Sequence, residues 1–422
     1  MARRISLVLA ISLLAVAFMA MTAAATSKPL EADQGLGDRE LYKVRQYSFP
    51  YPNEHDFTVS QDMRVPEQPL GNATASGSRA PSPGVKVGDT WYDYQHNGTM
   101  GRMIDWGYDA TNGLSIQFSW MDLPTSALVD RAAAFNGYSC SDGTFAYGSD
   151  GKPIQGSGDY AGYVGIDVTD DNRAVVGCHN DQGGGYASQF YYDYGPLWGT
   201  FSANSRVDDD CIEAGTEVIW PKFRYQETGP TEITHVIAQS SEANAGDPQL
   251  IAYFRKVGKD DAGTWVCPPY IIDTIYDLSQ DIACSNTDGK VALVWTGNLC
   301  PDLSVCDTCS GEMPYVQLDN DIYYQISNDY GASWQPRVNL TKNKDGEAGY
   351  RPYTDLSALI TTDNDLHIGW SGRVWPADAN SGGDITIYCR MFHWGENNGF
   401  NTDHSDGLPR GNIRTVANLD WS

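Results

Sequence analysis

The chain has 422 residues, with 54 acidic against 28 basic side chains and a formal net charge of −26. So large an excess of carboxylate repels nucleic-acid phosphate and anionic lipid, and it excludes both as partners held by charge. An apolar fraction of 41% places the chain among globular proteins with a sizeable core and away from disordered ones.

The chain opens on Met1-Ala2-Arg3-Arg4, runs apolar from Ile5 to about Met21, and continues with Thr22-Ala23-Ala24-Ala25. A basic start, an apolar stretch and small residues at its end read as a secretory signal peptide over 1–25; the run is too short for a membrane span of about 20 apolar residues. Removing those residues takes away two arginines and no acid, so 397 residues remain with a charge of −28. An exported protein is expected to be secreted, at the cell surface or in a periplasm. Its nine cysteines (140, 178, 211, 267, 284, 300, 306, 309 and 389) are then read as disulfide partners with one left over. The cluster Cys300, Cys306 and Cys309 lacks the second Cys pair or paired His of a zinc site.

Residues 26–84 are small, polar and Pro-rich around 71–84, and read as a leader or linker, with Tyr42–Tyr47 a candidate strand. From Val85 onward aromatic and β-branched residues alternate with polar ones, and turns rich in Gly, Asn and Asp punctuate them; the class is all-β. One hairpin recurs five times. Its first turn residues are Asn112, Asp171, Thr228, Asp288 and Asn364, spaced 59, 57, 60 and 76 residues apart. Asn-Gly and Asp-Gly at such places are the two-residue hairpin signal. Further strands follow the second to fifth hairpins at Gln189–Tyr192, Leu250–Phe254, Asp321–Tyr324 and Asp384–Tyr388. A hairpin plus an outer hairpin in about 60 residues has the content of one propeller blade. The last ten residues read as the start of a sixth inner strand, and Thr90–Gln95 as an outer strand that closes the ring on the last blade.

After Asp321–Tyr324 comes Ser327-Asn328-Asp329-Tyr330-Gly331-Ala332-Ser333-Trp334. Ser327 and Asp329 offer oxygens to turn N–H groups, Gly331 suits a positive φ, and Trp334 is a plate suited to packing between neighbouring sheets. The pattern S-x-D-x-G-x-x-W resembles the Asp box, or bacterial neuraminidase repeat, of sialidase-like β-propellers. Weaker relatives stand at Asp193–Trp198 and Asp260–Trp265. The resemblance implies a six-bladed sialidase-like β-propeller over 85–422, the last blade incomplete in this chain, with Ser327, Asp329, Gly331 and Trp334 in a structural role.

In a propeller, ligands bind where the inner strands begin. The residues there are Arg102 and Asp105; Asp159 and Tyr160; Trp220, Lys222 and Arg224; Tyr276 and Asp277; Tyr350, Arg351 and Tyr353; then Arg373 and Trp375. Guanidinium groups grip carboxylates in pairs of hydrogen bonds, and aromatic faces stack on sugar rings, so the lining suits an acidic sugar or glycan. Sialidases use an arginine triad, a Tyr/Glu nucleophile pair and an Asp acid/base. Arg102, Arg224 and Arg351 are the residues here that could fill a triad, but the Phe-Arg-Ile-Pro-like motif of the family is missing and no Tyr/Glu pair is assignable.

His179, His235 and His367 fall on second strands at different distances from their turns, so they do not form a metal ring. Asp208-Asp209-Asp210 and Asp170-Asp171-Asn172 lack the spaced ligands of a calcium loop; no cofactor is expected, Ca²⁺ being the one ion such turns could hold. Asn72, Asn97 and Asn339 head glycosylation acceptor triplets. The expectation is a non-catalytic module for glycan or another extracellular polymer, with an exo-sialidase-type glycoside hydrolase as the alternative and a structural scaffold as a third possibility.

Overall fold

A computed structural model describes residues 5–9, 85–92, 95, 100–125, 131–157, 160–181, 185–202, 205–207, 211, 217–241, 249–275, 279–298, 320–343, 349–375, 389–397 and 414–418. The leader 26–84 and the cysteines 300, 306 and 309 lie outside them. Two strands, β1 (Ile5–Leu9) and β2 (Val85–Thr90), precede the first repeated sheet. Sheet 1 holds β3 (Ile104–Asp109), β4 (Gly113–Asp122), β5 (Ala132–Ser139), β6 (Thr144–Phe145) and β7 (Lys152–Pro153). Sheet 2 holds β8 (Gly162–Val168), β9 (Ala174–Asp181), β10 (Tyr186–Tyr192) and β11 (Ser205–Arg206). Sheet 3 holds β12 (Val218–Gln226), β13 (Ile233–Ser240), β14 (Gln249–Val257), β15 (Thr264–Trp265) and β16 (Tyr270–Ile275). Sheet 4 holds β17 (Gln280–Cys284), β18 (Val291–Asn298), β19 (Asn320–Ser327) and β20 (Val338–Asn339). Sheet 5 holds β21 (Gly349–Ile360), β22 (Leu366–Trp375), β23 (Cys389–Gly395) and β24 (Arg414–Asn418). Each is antiparallel, its first four strands pairing in chain order; the fifth strands of sheets 1 and 3, β7 and β16, pair back on β5 and β14.

The five predicted hairpins are the first two strands of the five sheets. Their turns close by the expected chemistry. Asp109 Oδ1 accepts the N–H groups of Thr111 and Asn112 at 2.8 Å, and Gly113 takes φ +74°. Asn172 and Asn364 take φ +65° and +66°, a left-handed conformation that asparagine tolerates. Successive turns are also tied together. Ser115 Oγ and Gln117 Nε2 donate to Asn172 Oδ1 at 2.7 and 3.0 Å. The Asp170 N–H donates to Glu227, Gln226 Nε2 donates to the Asp288 carbonyl at 2.8 Å, and Lys290 Nζ donates to the Asn364 carbonyl at 2.7 Å.

The first strands pack in series, β3 on β8, β8 on β12, β12 on β17 and β17 on β21. Buried apolar side chains fill the spaces between sheets 1 and 2, 2 and 3, 3 and 4, and 4 and 5. Among the described residues no such cluster joins sheet 5 to sheet 1. There Trp106 and Tyr108 on β3 stand 58% and 61% exposed, and Leu359 on β21 is 53% exposed. Glycine permits the closest approach: a Cβ on Gly101 would stand 2.9 Å from Gly165 Cα, where Ile166 N–H donates to the Arg102 carbonyl.

The Ser327–Trp334 corner forms as its residues dictate. Ser327 Oγ accepts the N–H of Gly331 at 2.9 Å, and Asp329 accepts Ser333 N–H at 2.8 Å, Ser333 Oγ at 2.6 Å and Ser327 Oγ at 2.7 Å. Gly331 takes φ +74°. Trp334 stacks on Tyr270 and meets Tyr253 edge-on, centroids 5.9 and 4.8 Å away, so it joins sheet 4 to sheet 3. Hydrogen bonds from Ser333 first, with Ser327 and backbone N–H groups behind, hold the Asp329 carboxyl down at about 2. A folded value below the unfolded one stabilises above the usual carboxylate range and is lost as pH falls through about 2. Asp329→Ala is therefore expected to cost about 1 kcal/mol at pH 7. Urea unfolding at pH 7 and pH 2.5 should show that gap narrowing in acid; a gap that stays constant contradicts the assignment.

Four expectations are corrected. Arg414–Asn418 is the outermost strand of sheet 5, paired with β23, and starts no new inner strand. The Thr90–Gln95 stretch packs on sheet 1 and not on the last sheet: Thr90 Oγ1 donates to the Met121 carbonyl at 2.9 Å, and Gln95 Nε2 to the same oxygen at 2.8 Å. Cys211 and Cys267 are bonded, whereas Cys140, Cys178 and Cys284 are free thiols among the described residues. Asn339 Nδ2 donates to Asp321 Oδ2 at 2.6 Å, so its amide is committed inside sheet 4 and not held out as a glycan acceptor. The corner at Asp193–Trp198 keeps its carboxylate, which accepts Gly199 N–H at 2.8 Å, but leaves Trp198 61% exposed. Asp384–Tyr388 lies outside the described residues.

Candidate functional site

First strands that pack in series bring their central side chains together, and here those are charged. Arg102 and Asp105 come from β3 and the loop before it, Asp167 from β8, Lys222 and Arg224 from β12, Asp281 from β17 and Asp355 from β21. Asp167 Oδ2 accepts Tyr225 N–H at 2.6 Å and Asp281 Oδ2 accepts Ala358 N–H at 2.7 Å, so each carboxylate reaches the first strand of the next sheet. Lys222 Nζ donates to the Leu356 carbonyl at 3.5 Å, spanning from sheet 3 to sheet 5.

The electrostatics follow from crowding. Burial, then the adjacent Asp105 carboxyl, raises Asp167 to about 7. Burial depresses Lys222. Burial also works against the Arg224 guanidinium, but Asp281, Asp167 and Asp105 outweigh it and hold its proton more tightly. Arg224, and then burial, lower Arg102.

At the start of the first strands three β-bulges recur. Register slips between Gly162 and Gly165, between Ile219 and Lys222, and between Pro352 and Leu356. The first residue in each slip is aromatic: Tyr163, Trp220 and Tyr353. Tyr163 and Trp220 take φ +54° and +55°. For a bulky side chain that conformation costs on the order of 1–3 kcal/mol, and bulges beside ligand sites serve to re-aim side chains. Trp220 is pinned on both sides: its N–H donates to His179 Nδ1 at 3.1 Å and its carbonyl accepts Gln280 Nε2 at 3.0 Å. The Tyr163 ring lies 5.1 Å from His179 and 5.6 Å from Trp220, and Tyr186 meets His179 edge-on at 5.3 Å. Arg373 stacks over Tyr353 at 3.6 Å. Arg131 lies over Tyr92 at 4.8 Å and donates to the Tyr160 carbonyl at 3.0 Å.

The sequence-predicted residues divide accordingly. Arg102, Asp105 and Arg224 meet in the deep charged layer; Tyr160, Trp220, Tyr353 and Arg373 stand at the bulges above it or beside them. Tyr350 meets Phe392 edge-on at 5.7 Å and lies under Arg390, a packing position. Arg351 is 2% exposed and acts on Asp321 of sheet 4, whereas Arg102 and Arg224 act on each other. Asp159, Tyr276, Asp277 and the side chain of Trp375 lie outside the described residues. Sequence reasoning passed over Arg131, Tyr163 and Tyr186, and weighed His179 only as a metal ligand. Gly162 and Gly165 around Tyr163 were the available signal, since glycine beside a bulky residue inside a strand marks a bulge. Among the described residues no group of three His, Cys, Asp or Glu could hold a metal ion.

No protein-family model matches the chain, and no curated protein does. Solved structures give distant likenesses. A protein of unknown function from Dyadobacter fermentans matches at TM-score 0.40 and 9% identity, over 78% of this chain and 95% of its own. A GH62 α-L-arabinofuranosidase catalytic domain from Coprinopsis cinerea matches at TM-score 0.34 and 9% identity, over 71% and 91%. The Hadza microbial sialidase Hz136 matches at TM-score 0.31 and 9% identity, over 64% of this chain and 63% of its own length. Likenesses this distant leave both fold and activity to the molecule's own sheets and side chains.

Proposed function

We propose that the five sheets are blades of a β-propeller and that the protein binds carbohydrate, without cleaving it, at the mouth of its first strands. The observation that carries this reading is the run of aromatic residues at first-strand bulges, Tyr163, Trp220 and Tyr353, two of them in left-handed backbone. Strain of that kind persists where a side chain must face a ligand, and exposed edges of aromatic plates suit the apolar faces of sugar rings. Action outside the cell is part of the reading, supported by the signal-peptide pattern and by the Cys211–Cys267 disulfide.

A glycan array run beside a fluorogenic sialoside assay on the mature protein tests it. Retention of at least one glycan class without sialoside turnover is the expected result. Trp220→Ala should weaken that binding tenfold or more, the loss of about 1.4 kcal/mol or more typical of a central aromatic anchor. Turnover would move the protein to the hydrolase reading, and no binding to any glycan would remove the carbohydrate function.

A further inference from the structure

Beside the bulge aromatics two hydrogen-bond donors converge. A Cβ built on Gly162 would stand 2.7 Å from His179 Nε2 and 2.9 Å from Arg131 Nη2, so only glycine lets these two nitrogens come together here. The His179 tautomer is fixed by its neighbour. Trp220 N–H donates to Nδ1, so Nδ1 carries no proton and a neutral ring bears its hydrogen on Nε2. Burial, then the Arg131 charge, keeps the ring neutral. The Arg131 Nε is buried and has no hydrogen-bond partner, although Nη2 is engaged by Tyr160. A buried guanidinium N–H without an acceptor is costly. The nearby Glu217 carboxylate is engaged elsewhere, accepting Tyr186 N–H at 3.0 Å.

We propose that Arg131 and His179 Nε2–H form an anion-receiving subsite of this mouth, and that its ligand is the carboxylate of a uronic-acid residue in the bound glycan. The inference rests on the carbohydrate reading and specifies its ligand. Two oxygens of a planar carboxylate match donors on two separate groups, the guanidinium edge on one side and the imidazole N–H on the other. The Tyr163 and Tyr186 rings flank the same imidazole, with the Trp220 ring beside Tyr163, and supply the surfaces for the sugar ring. In a chain with a large negative charge, a cation placed here gives an acidic polymer a local attraction that the rest of the surface denies it.

The test measures affinity of the mature protein for polygalacturonate, alginate and hyaluronan, for each polymer after carboxyl reduction, and for a sulfated galactan. At least one polyuronate should bind, with its reduced form and the sulfated polymer weaker by about tenfold or more, the scale of a charge-assisted hydrogen bond. Arg131→Gln should erase that preference, so that acidic and reduced polymers bind alike, and Arg131→Lys should restore part of it. If Arg131→Gln fails to fold, salt serves instead: the wild-type preference should shrink as ionic strength rises. Equal binding of acidic and reduced polymers, a preference that survives Arg131→Gln, or equal binding of sulfated polymer overturns the carboxylate subsite and leaves carbohydrate binding standing. Failure to bind any polymer, acidic or reduced, overturns both.

Discussion

Replacing Arg224 with methionine is expected to destabilise the protein by on the order of 3 kcal/mol at pH 8, within the range for breaking a buried ion pair. The side chain serves three carboxylates, Asp281, Asp167 and Asp105, and its removal leaves them facing one another with Lys222 and Arg102 as the cations nearby. The loss depends on pH with a definite sign. Asp167 has a folded value raised above its unfolded one, so its favourable contribution is complete below the usual carboxylate range and disappears as pH rises through about 7. Without Arg224 that value rises further and the disappearance is larger. The difference in urea-unfolding free energy between wild type and Arg224→Met should therefore be greater at pH 8 than at pH 5. The same difference at both pH values would show that the guanidinium contributes through packing and not through its charge.

Trp295→Ala is expected to cost about 3–5 kcal/mol, as for other fully buried large-to-small changes. Trp295 is wholly inaccessible in the space between sheets 3 and 4, among Ile237, Ile251, Ile282 and Leu293. It stacks on Tyr323 with centroids 5.8 Å apart, and its Nε1–H donates to Asp273 Oδ2 at 3.1 Å. Truncation opens a cavity and removes one donor from Asp273, which keeps Arg337 at 2.9 Å. Trp334 fills the edge of the same inter-sheet space but is only half-buried, so Trp334→Ala should cost less, about 1–2 kcal/mol. Equilibrium denaturation of the two variants side by side decides the matter: a Trp334 cost equal to the Trp295 cost would mean that the sheets are held at their rim.

The repeat was legible in the sequence because its turns carry local chemistry. Asn112-Gly113, Asn172 and Asn364 sit where the chain must take positive φ, and the alternation around them fixes which strand faces which neighbour. The Ser327–Trp334 corner was legible for the same reason, since its donors and acceptors lie within seven residues. The site was legible only in part. Trp220, Tyr353 and Arg224 follow from position before an inner hairpin, but Arg131 belongs to the start of a third strand and meets His179 across two sheets. Arg351 shows the converse: its place before the hairpin resembles that of the others, yet its side chain is buried and acts on Asp321 of the preceding sheet. Side-chain direction at a bulge is set by long-range register, which one strand's sequence does not encode.

Among the described residues, sheets 2, 3 and 4 have an apolar core on both faces. In a series each unit is stabilised by its neighbours, so an interior unit has two supports and a terminal one has a single support. Sheets 2 and 3, which carry Tyr163, His179 and Trp220, are interior. With a core on each face of both sheets, the aromatic mouth would be among the last parts to lose its shape.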